Sequence, residues 1–251
     1  MGKAGWVVVQ LSSRTLWLPE ELADRLGLFA ASVRVVGPTE TLWERDALVP
    51  TGPWRRLQES GRPATGVTRE FRADRDVALV RLPATVAQQS PEQQLASLGE
   101  VDHYLGVDDD IPGLPTLTID PRSALLIGLH LDNWDRLPVG LRHASRNRAS
   151  VNLGPVPRAL LFVDLDITQG YPPDAVPDTE ATRKRLMNAD PPPAVLRLLV
   201  PPGWAYIAPT ENLVHDGSSL SFRDGAVHAS ALGLFRPVRG TAEVAVVAVA
   251  L

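Results

Sequence analysis

Ser123-Ala124-Leu125-Leu126-Ile127-Gly128-Leu129-His130-Leu131-Asp132 is the stretch on which the reading of this chain turns. A short apolar run that ends in polar residues reads as a buried β-strand. Side chains two positions apart on a strand share a face, so His130 and Asp132 point into one space at the strand's end. Two metal ligands need that arrangement. A third is expected from a distant segment, and His215, in Pro209-Thr210-Glu211-Asn212-Leu213-Val214-His215-Asp216-Gly217, is the candidate.

Outward from Asp132, a polar segment runs from Asn133 to Ser145. Arg148 to Leu153 (RASVNL) and Arg158 to Val163 (RALLFV) flank Gly154-Pro155-Val156-Pro157, the pattern of a β-hairpin. Residues 168–193 are rich in proline and charge and read as an excursion with one short helix near Thr182 to Met187. Val195 to Val200, Trp204 to Ala208, Val227 to Phe235 and Glu243 to Leu251 are further strand candidates.

Upstream, Trp6 to Leu11, Ser32 to Val36 and Val77 to Leu82 read as strands. Pro19 to Gly27 reads as a short helix, with proline and acids in its first turn and glycine at its end. Pro91 to Leu98 reads as another. Residues 37–75, broken by glycine and proline, read as loops able to fold over a site as a lid. Asp102 to Pro115 reads as an acidic loop. Its Asp108-Asp109-Asp110 triplet fits a solvated turn better than a calcium loop, which needs alternating ligands and a distal glutamate. Many short strands with glycine and proline turns predict a mainly β sandwich or barrel with flanking helices, and nothing marks a boundary within residues 1–251.

The composition narrows the chemistry. The chain has 251 residues, a formal net charge of −4 and no cysteine. Thiolate metal sites, disulfides and cysteine nucleophiles are excluded, so a metal would be held by histidine and carboxylate. No basic cluster advertises nucleic acid. No apolar run is long enough to span a bilayer, and the N-terminus lacks the features of a signal peptide, so a soluble, cytoplasmic protein is expected. A Gly-x-Ser-x-Gly elbow, a dinucleotide fingerprint and a P-loop are all absent from the sequence.

Two histidines and one carboxylate on one face of a metal form the facial triad of non-haem Fe(II) oxygenases, which leaves positions open for other ligands. The plainer reading of a strand-end histidine is an ordinary hydrogen-bonded residue, and it suits His103, His143 and His228. The order of elements favours the metal. His-x-Asp at a strand end, the hairpin Asn152-Leu153-Gly154…Arg158-Ala159-Leu160-Leu161-Phe162, the turn Pro202-Gly203, the run Trp204-Ala205-Tyr206-Ile207-Ala208-Pro209 and then His215 follow one another. In this the chain resembles the 2-oxoglutarate/Fe(II)-dependent oxygenase superfamily and the wider cupin and JmjC-like proteins. The resemblance implies a double-stranded β-helix (jelly-roll, cupin-type barrel) with its core at about 123–236, the first hundred residues supplying supporting strands, helices and lid loops. It implies Fe(II) on His130, Asp132 and His215, with 2-oxoglutarate and O2 as co-substrates.

One departure stands out. Many members carry an Arg-x-Ser after the distal histidine, whose guanidinium clamps the far carboxylate of 2-oxoglutarate through paired hydrogen bonds. This chain has His228-Ala229-Ser230 there. Arg223 could serve instead, or Arg148 from another strand, or 2-oxoglutarate is not used. His228, Ser230 and Asn152 are further candidates to touch the co-substrate. Asn133 and Trp134 are candidates to line the substrate mouth, although Trp134 equally suits packing on the rim, and Asp216 reads as a turn cap beside Gly217. The function expected is a non-haem Fe(II) oxygenase, 2-oxoglutarate-dependent, that oxidises a small molecule of natural-product or amino-acid type. The alternatives are a cupin-type metal enzyme without 2-oxoglutarate and a non-catalytic small-molecule-binding barrel. The expected partner is a small-molecule substrate, with neither nucleic acid nor membrane; a homodimer is compatible with the sequence.

Overall fold

The computed structural model describes residues 5–20, 28–59, 64–237 and 241–250, with the side chains of 58–66 and 241–250 left aside. Among the described residues fifteen strands form two sheets. The larger has ten strands in the order β5-β15-β1-β2-β7-β12-β9-β14-β8, with β6 also on β15. Here β1 is Trp6–Gln10, β2 Thr15–Pro19, β5 Gln58–Glu59, β6 Ala64–Glu70, β7 Val77–Arg81, β8 Gly99–Asp109, β9 Asn147–Asn152, β12 Trp204–Ala208, β14 Val227–Phe235 and β15 Thr241–Ala250. The smaller sheet is β13-β10-β11-β3-β4, from His215–Ser218, Arg158–Val163, Val195–Val200, Phe29–Val35 and Leu48–Arg56. Neighbours are antiparallel except β1–β15 and β2–β7. Neither sheet closes on itself. No described helix is long and apolar enough to cross a membrane.

Alternation assigns the faces. Ala149 and Val151 of β9, Ala205 and Ile207 of β12, and Ala229 and Ala231 of β14 pack outward with Trp17, Leu95 and Leu98. Leu95 belongs to helix α2 (Pro91–Ala96), which follows the short α1 (Ala84–Ala87) and is started by a Ser90–Gln93 capping box. The intervening residues Arg148, Ser150 and Asn152 of β9 therefore face inward, beside Ala208 and Tyr206 of β12 and Leu232, Ser230 and His228 of β14. Across from them lie Leu160 and Phe162 of β10 and Leu196 and Leu198 of β11, in one apolar cluster with Tyr206 and Ala208. The outer face of the small sheet is sealed by Leu186 of helix α3 (Thr179–Met187), which Asp178 caps by accepting from the Ala181 N–H.

Several elements differ from the sequence expectation. Residues 37–75 are not a lid of loops: they contain β4, β5 and β6. The stretch 102–115 is not a loop, because most of it belongs to edge strand β8. Pro19 ends β2, and from residue 21 onward the helix expected over Pro19 to Gly27 lies outside the described residues. The run Ser123 to Leu131 is not a continuous strand and makes single bridges at Leu126 and His130. Positive φ angles at Ala124 (57°) and Gly128 (76°) break its extended path. Glycine is required at 128, since a Cβ there would stand 2.6 Å from the Leu48 carbonyl oxygen. This segment touches both edges of the small sheet: Leu129 N–H donates to Leu48 of β4 (2.8 Å), and His130 exchanges backbone hydrogen bonds with His215 of β13 (3.0 and 2.8 Å).

Candidate metal centre

That last pair of bonds makes the site. It sets His130 opposite His215, with ring centroids 4.7 Å apart. Each imidazole is then oriented by the carbonyl two residues before it. His130 Nδ1 is 2.9 Å from the Gly128 carbonyl, and His215 Nδ1 is 2.9 Å from the Leu213 carbonyl. A carbonyl only accepts, so both Nδ1 atoms carry hydrogen, and in the neutral rings Nε2 is the atom with the free lone pair. Both Nε2 atoms face Asp132, at 3.6 Å for His130 and 3.8 Å for His215. Asp132 is fixed by its N–H to the Thr210 carbonyl (3.2 Å) and by Arg148 Nη2 on its Oδ2 (2.8 Å).

One ligand atom from each of the three residues lies within 4.8 Å of the others, and all three residues are buried. Ligands at about 2.1 Å from one ion lie roughly 3 to 4 Å apart, so the spacing suits a single cation. The group could therefore hold a metal ion. Burial, helped by the positive neighbours His130 and Arg148, outweighs Asp132 and pushes His215 down to about 3, so it is neutral. Burial also opposes the His130 cation, but Asp132 and Asp216 together raise its pKa. Burial disfavours the Asp132 anion, yet Arg148 and the two imidazoles hold its carboxyl well below the usual range.

Asp216 stands behind the ligands and is fully buried. Its Oδ1 accepts from the N–H groups of Leu117 (3.2 Å), Thr118 (3.1 Å) and Gly217 (2.6 Å), and from the Thr118 hydroxyl (2.8 Å). Its Oδ2 has no hydrogen bond and lies 3.8 Å from His130 Nδ1. The turn-cap reading thus covers one of its four bonds. The sequence signal for the rest was its position next to a ligand.

The other candidates divide. Arg148 reaches the centre, but its charge is engaged by Asp132 rather than free for a co-substrate. Asn152 does not face a ligand space: its amide donates to the Val156 and Val200 carbonyls (2.8 and 2.9 Å) and accepts from Gly154 N–H, pinning the hairpin turn. His228 and Ser230 lie inward in a second polar cluster around Arg158. There Arg158 Nε faces Asp110 Oδ2 at 3.3 Å, its Nη1 donates to Ser150 Oγ (2.9 Å), Ser230 bonds Ser150 (3.0 Å), and His228 Nδ1 is 3.3 Å from Asp110 Oδ1. Asp110, read as part of a solvated turn, is buried, while Asp108 and Asp109 are exposed. Arg223 is exposed on the turn between β13 and β14 and joins neither cluster. Asn133 accepts from Arg142 (3.2 Å); Trp134 is 54 % exposed, its ring beside His103 and its N–H on Glu211. Arg158 went unremarked in the sequence. Its signal was position, since alternation puts it on the same face as Leu160 and Phe162.

The chain matches no protein-family model, no curated protein and no solved structure. What it can do is argued from its own side chains.

Proposed function

We propose that this chain is a mononuclear non-haem Fe(II) oxygenase on a double-stranded β-helix, using 2-oxoglutarate and O2 to oxidise a small molecule of natural-product or amino-acid type. The observation that carries the reading is the His130–His215 bridge, which aims two imidazole Nε2 atoms at one carboxylate. Two imidazole nitrogens, one carboxylate oxygen and no thiolate suit Fe(II) and leave room for further ligands. The strand path supports the fold. From β8 to β14 the chain changes sheet at every step except β10 to β11, giving β12-β9-β14-β8 on one side and the His130 segment, β13, β10 and β11 on the other. This order of strands favours a jelly-roll path.

His130, Asp132 and His215 would hold Fe(II), which would supply the oxidising chemistry with O2. The chain's own residues do the rest. The Gly128 and Leu213 carbonyls fix the imidazole tautomers, and Arg148 fixes Asp132. The apolar floor of Leu160, Phe162 and Leu198 keeps bulk water away. Arg158 is the residue to hold the far carboxylate of 2-oxoglutarate, in place of the absent Arg-x-Ser. It is nearly fully buried, and its Nη2 lies over Gly217, where a Cβ would stand 3.0 Å away. Gly217 is two residues from His215, roughly 7 Å of strand. Asp110 must share Arg158 with such a ligand. That pairing favours a second reading, a cupin-type metal enzyme that dispenses with 2-oxoglutarate.

The test is anaerobic addition of Fe(II) to metal-free protein, then of 2-oxoglutarate, watching for a weak visible charge-transfer band. A band that disappears in His130→Ala and His215→Ala supports the proposal. Iron binding without the band favours the second reading. Absence of iron binding refutes both and leaves a small-molecule-binding scaffold.

A further inference from the structure

A second, separate feature is a cavity of about 220 Å³ between the β1–β2 turn, the turn before β7, the 3₁₀ helix Val139–Ala144 and residues 166–168. Four arginines line it, 14, 72, 75 and 142, against two carboxylates, Asp74 and Asp166. Arg14 and Arg142 are 2 % and 1 % exposed. Burying a guanidinium without a carboxylate partner is costly, and most such groups are paired.

Arg142 has no such partner among the described residues. Its hydrogen bonds go to the carbonyls of Leu137, Glu211 and Pro177 and to the amide oxygen of Asn133, all neutral. Arg14 donates to the carbonyls of Leu165 (2.7 Å) and Arg75 (3.4 Å); its Nε faces Asp164 at 3.4 Å without a hydrogen bond. Arg75 donates its Nε to the Ser13 carbonyl (2.5 Å) and pairs with no carboxylate among the described residues. Arg72 is paired with Asp74 (3.0 Å), and the Asp166 carboxylate is engaged by Thr168 and Gln169. The lining itself sets four guanidiniums against two carboxylates, with Asp164 behind Arg14, Asp76 beside Arg72, and Glu211 and Asp135 attracting Arg142 from farther off. Backbone carbonyls hold these arginines in place before any ligand arrives, which lowers the cost of binding one.

We infer that this cavity binds a phosphate group. Guanidinium forks match phosphate oxygens through charge-assisted bonds. The lining also offers an acceptor, since Asn212 Oδ1 has no hydrogen-bond partner. A protonated phosphate can donate to it; sulfate has no proton to give. The group comes either from inorganic phosphate or from a phosphorylated small molecule. The inference does not rest on the metal centre.

The experiment is isothermal titration of the EDTA-treated full chain with inorganic phosphate, with sulfate at equal ionic strength, and with glycerol 3-phosphate. The expected result is saturable one-site binding, with phosphate or its ester at least about tenfold tighter than sulfate. The tighter of the two phosphates identifies the source. Arg75→Gln and Arg72→Gln change exposed side chains. Each is expected to weaken binding about tenfold without lowering the melting temperature of the free protein. His215→Ala is expected to bind phosphate as the parent does. Absence of saturable binding, equal affinity for sulfate, unchanged affinity in Arg75→Gln, or loss of binding in His215→Ala would each overturn the assignment.

Discussion

Replacing Asp216 separates what it does for the fold from what it does for the metal. Asp216→Ala removes the acceptor of four hydrogen bonds and leaves the N–H groups of Leu117, Thr118 and Gly217 without it. At about 1–3 kcal/mol for each buried donor left unpaired, the gross loss is several kcal/mol. Part is recovered, because burial disfavours the Asp216 anion and raises its pKa. A net destabilisation of about 3 kcal/mol is expected, which lowers the melting temperature by roughly 6–12 °C in a chain of this size. Asp216→Asn retains Oδ1 and puts an NH₂ where Oδ2 had no hydrogen bond. With no acceptor for that NH₂ opposite His130 Nδ1–H, it should cost about 1–2 kcal/mol of stability, less than the alanine variant. It does remove the negative charge 3.8 Å from His130 Nδ1, and metal affinity should fall by up to about tenfold, the lower end for loss of a hydrogen-bonded partner. Calorimetry on the metal-free proteins and competitive titration with Co(II) measure the two effects. An Asn variant that binds metal as tightly as the parent, or melts as low as the Ala variant, would refute the reasoning.

Three further outcomes are expected. Asp76 has its pKa raised by burial, so its charge costs stability that is absent at low pH and grows as pH rises past the ordinary aspartate value; Asp76→Asn can keep the Trp17 and Arg72 hydrogen bonds, both on Oδ2, and should melt higher than the parent at pH 7 but not at pH 3. Gly128→Ala combines a positive φ with a contact of 2.6 Å on Leu48 and should cost about 2–4 kcal/mol by chemical denaturation while weakening metal binding. Arg158→Gln should leave Fe(II) affinity unchanged and weaken 2-oxoglutarate at least about tenfold in the charge-transfer titration; unaltered 2-oxoglutarate binding would move the anchor elsewhere.

The pair His130 and Asp132 was legible because its signal is local, two polar residues two apart at the end of an apolar run, whereas His215 was reached through the order of elements over about 85 residues. The sequence carried the later strands for the same local reason. It failed where an edge strand tolerates what a central strand does not. Strand β4 contains Pro50, Gly52 and Pro53, which read as loop, yet β4 lies at the edge of the small sheet, where missing N–H groups are cheap. Strand β8 is an edge strand too, and its charged residues keep that edge soluble rather than marking a loop. The run before His130 failed in the opposite sense: its apolar residues promised a full strand, but the turn at Gly128 lets it reach two sheet edges instead. Arg158 was hidden because a charge at the start of a strand looks like the end of a turn. Only the approach of its Nη2 to Gly217 and the contact with Ser150 give its inward course meaning.

The bridge between His130 and His215 also sets when a metal can act during folding. The two ligands lie about 85 residues apart in the chain, and closing a loop of that length costs about 4 kcal/mol of entropy. Their meeting requires the small sheet to have assembled, so the complete ligand set is a late product of folding rather than a nucleus. A cation that needs both imidazoles therefore gains its hold after the rate-limiting step. It would slow unfolding far more than it speeds refolding, and the loaded protein would owe its endurance to kinetics.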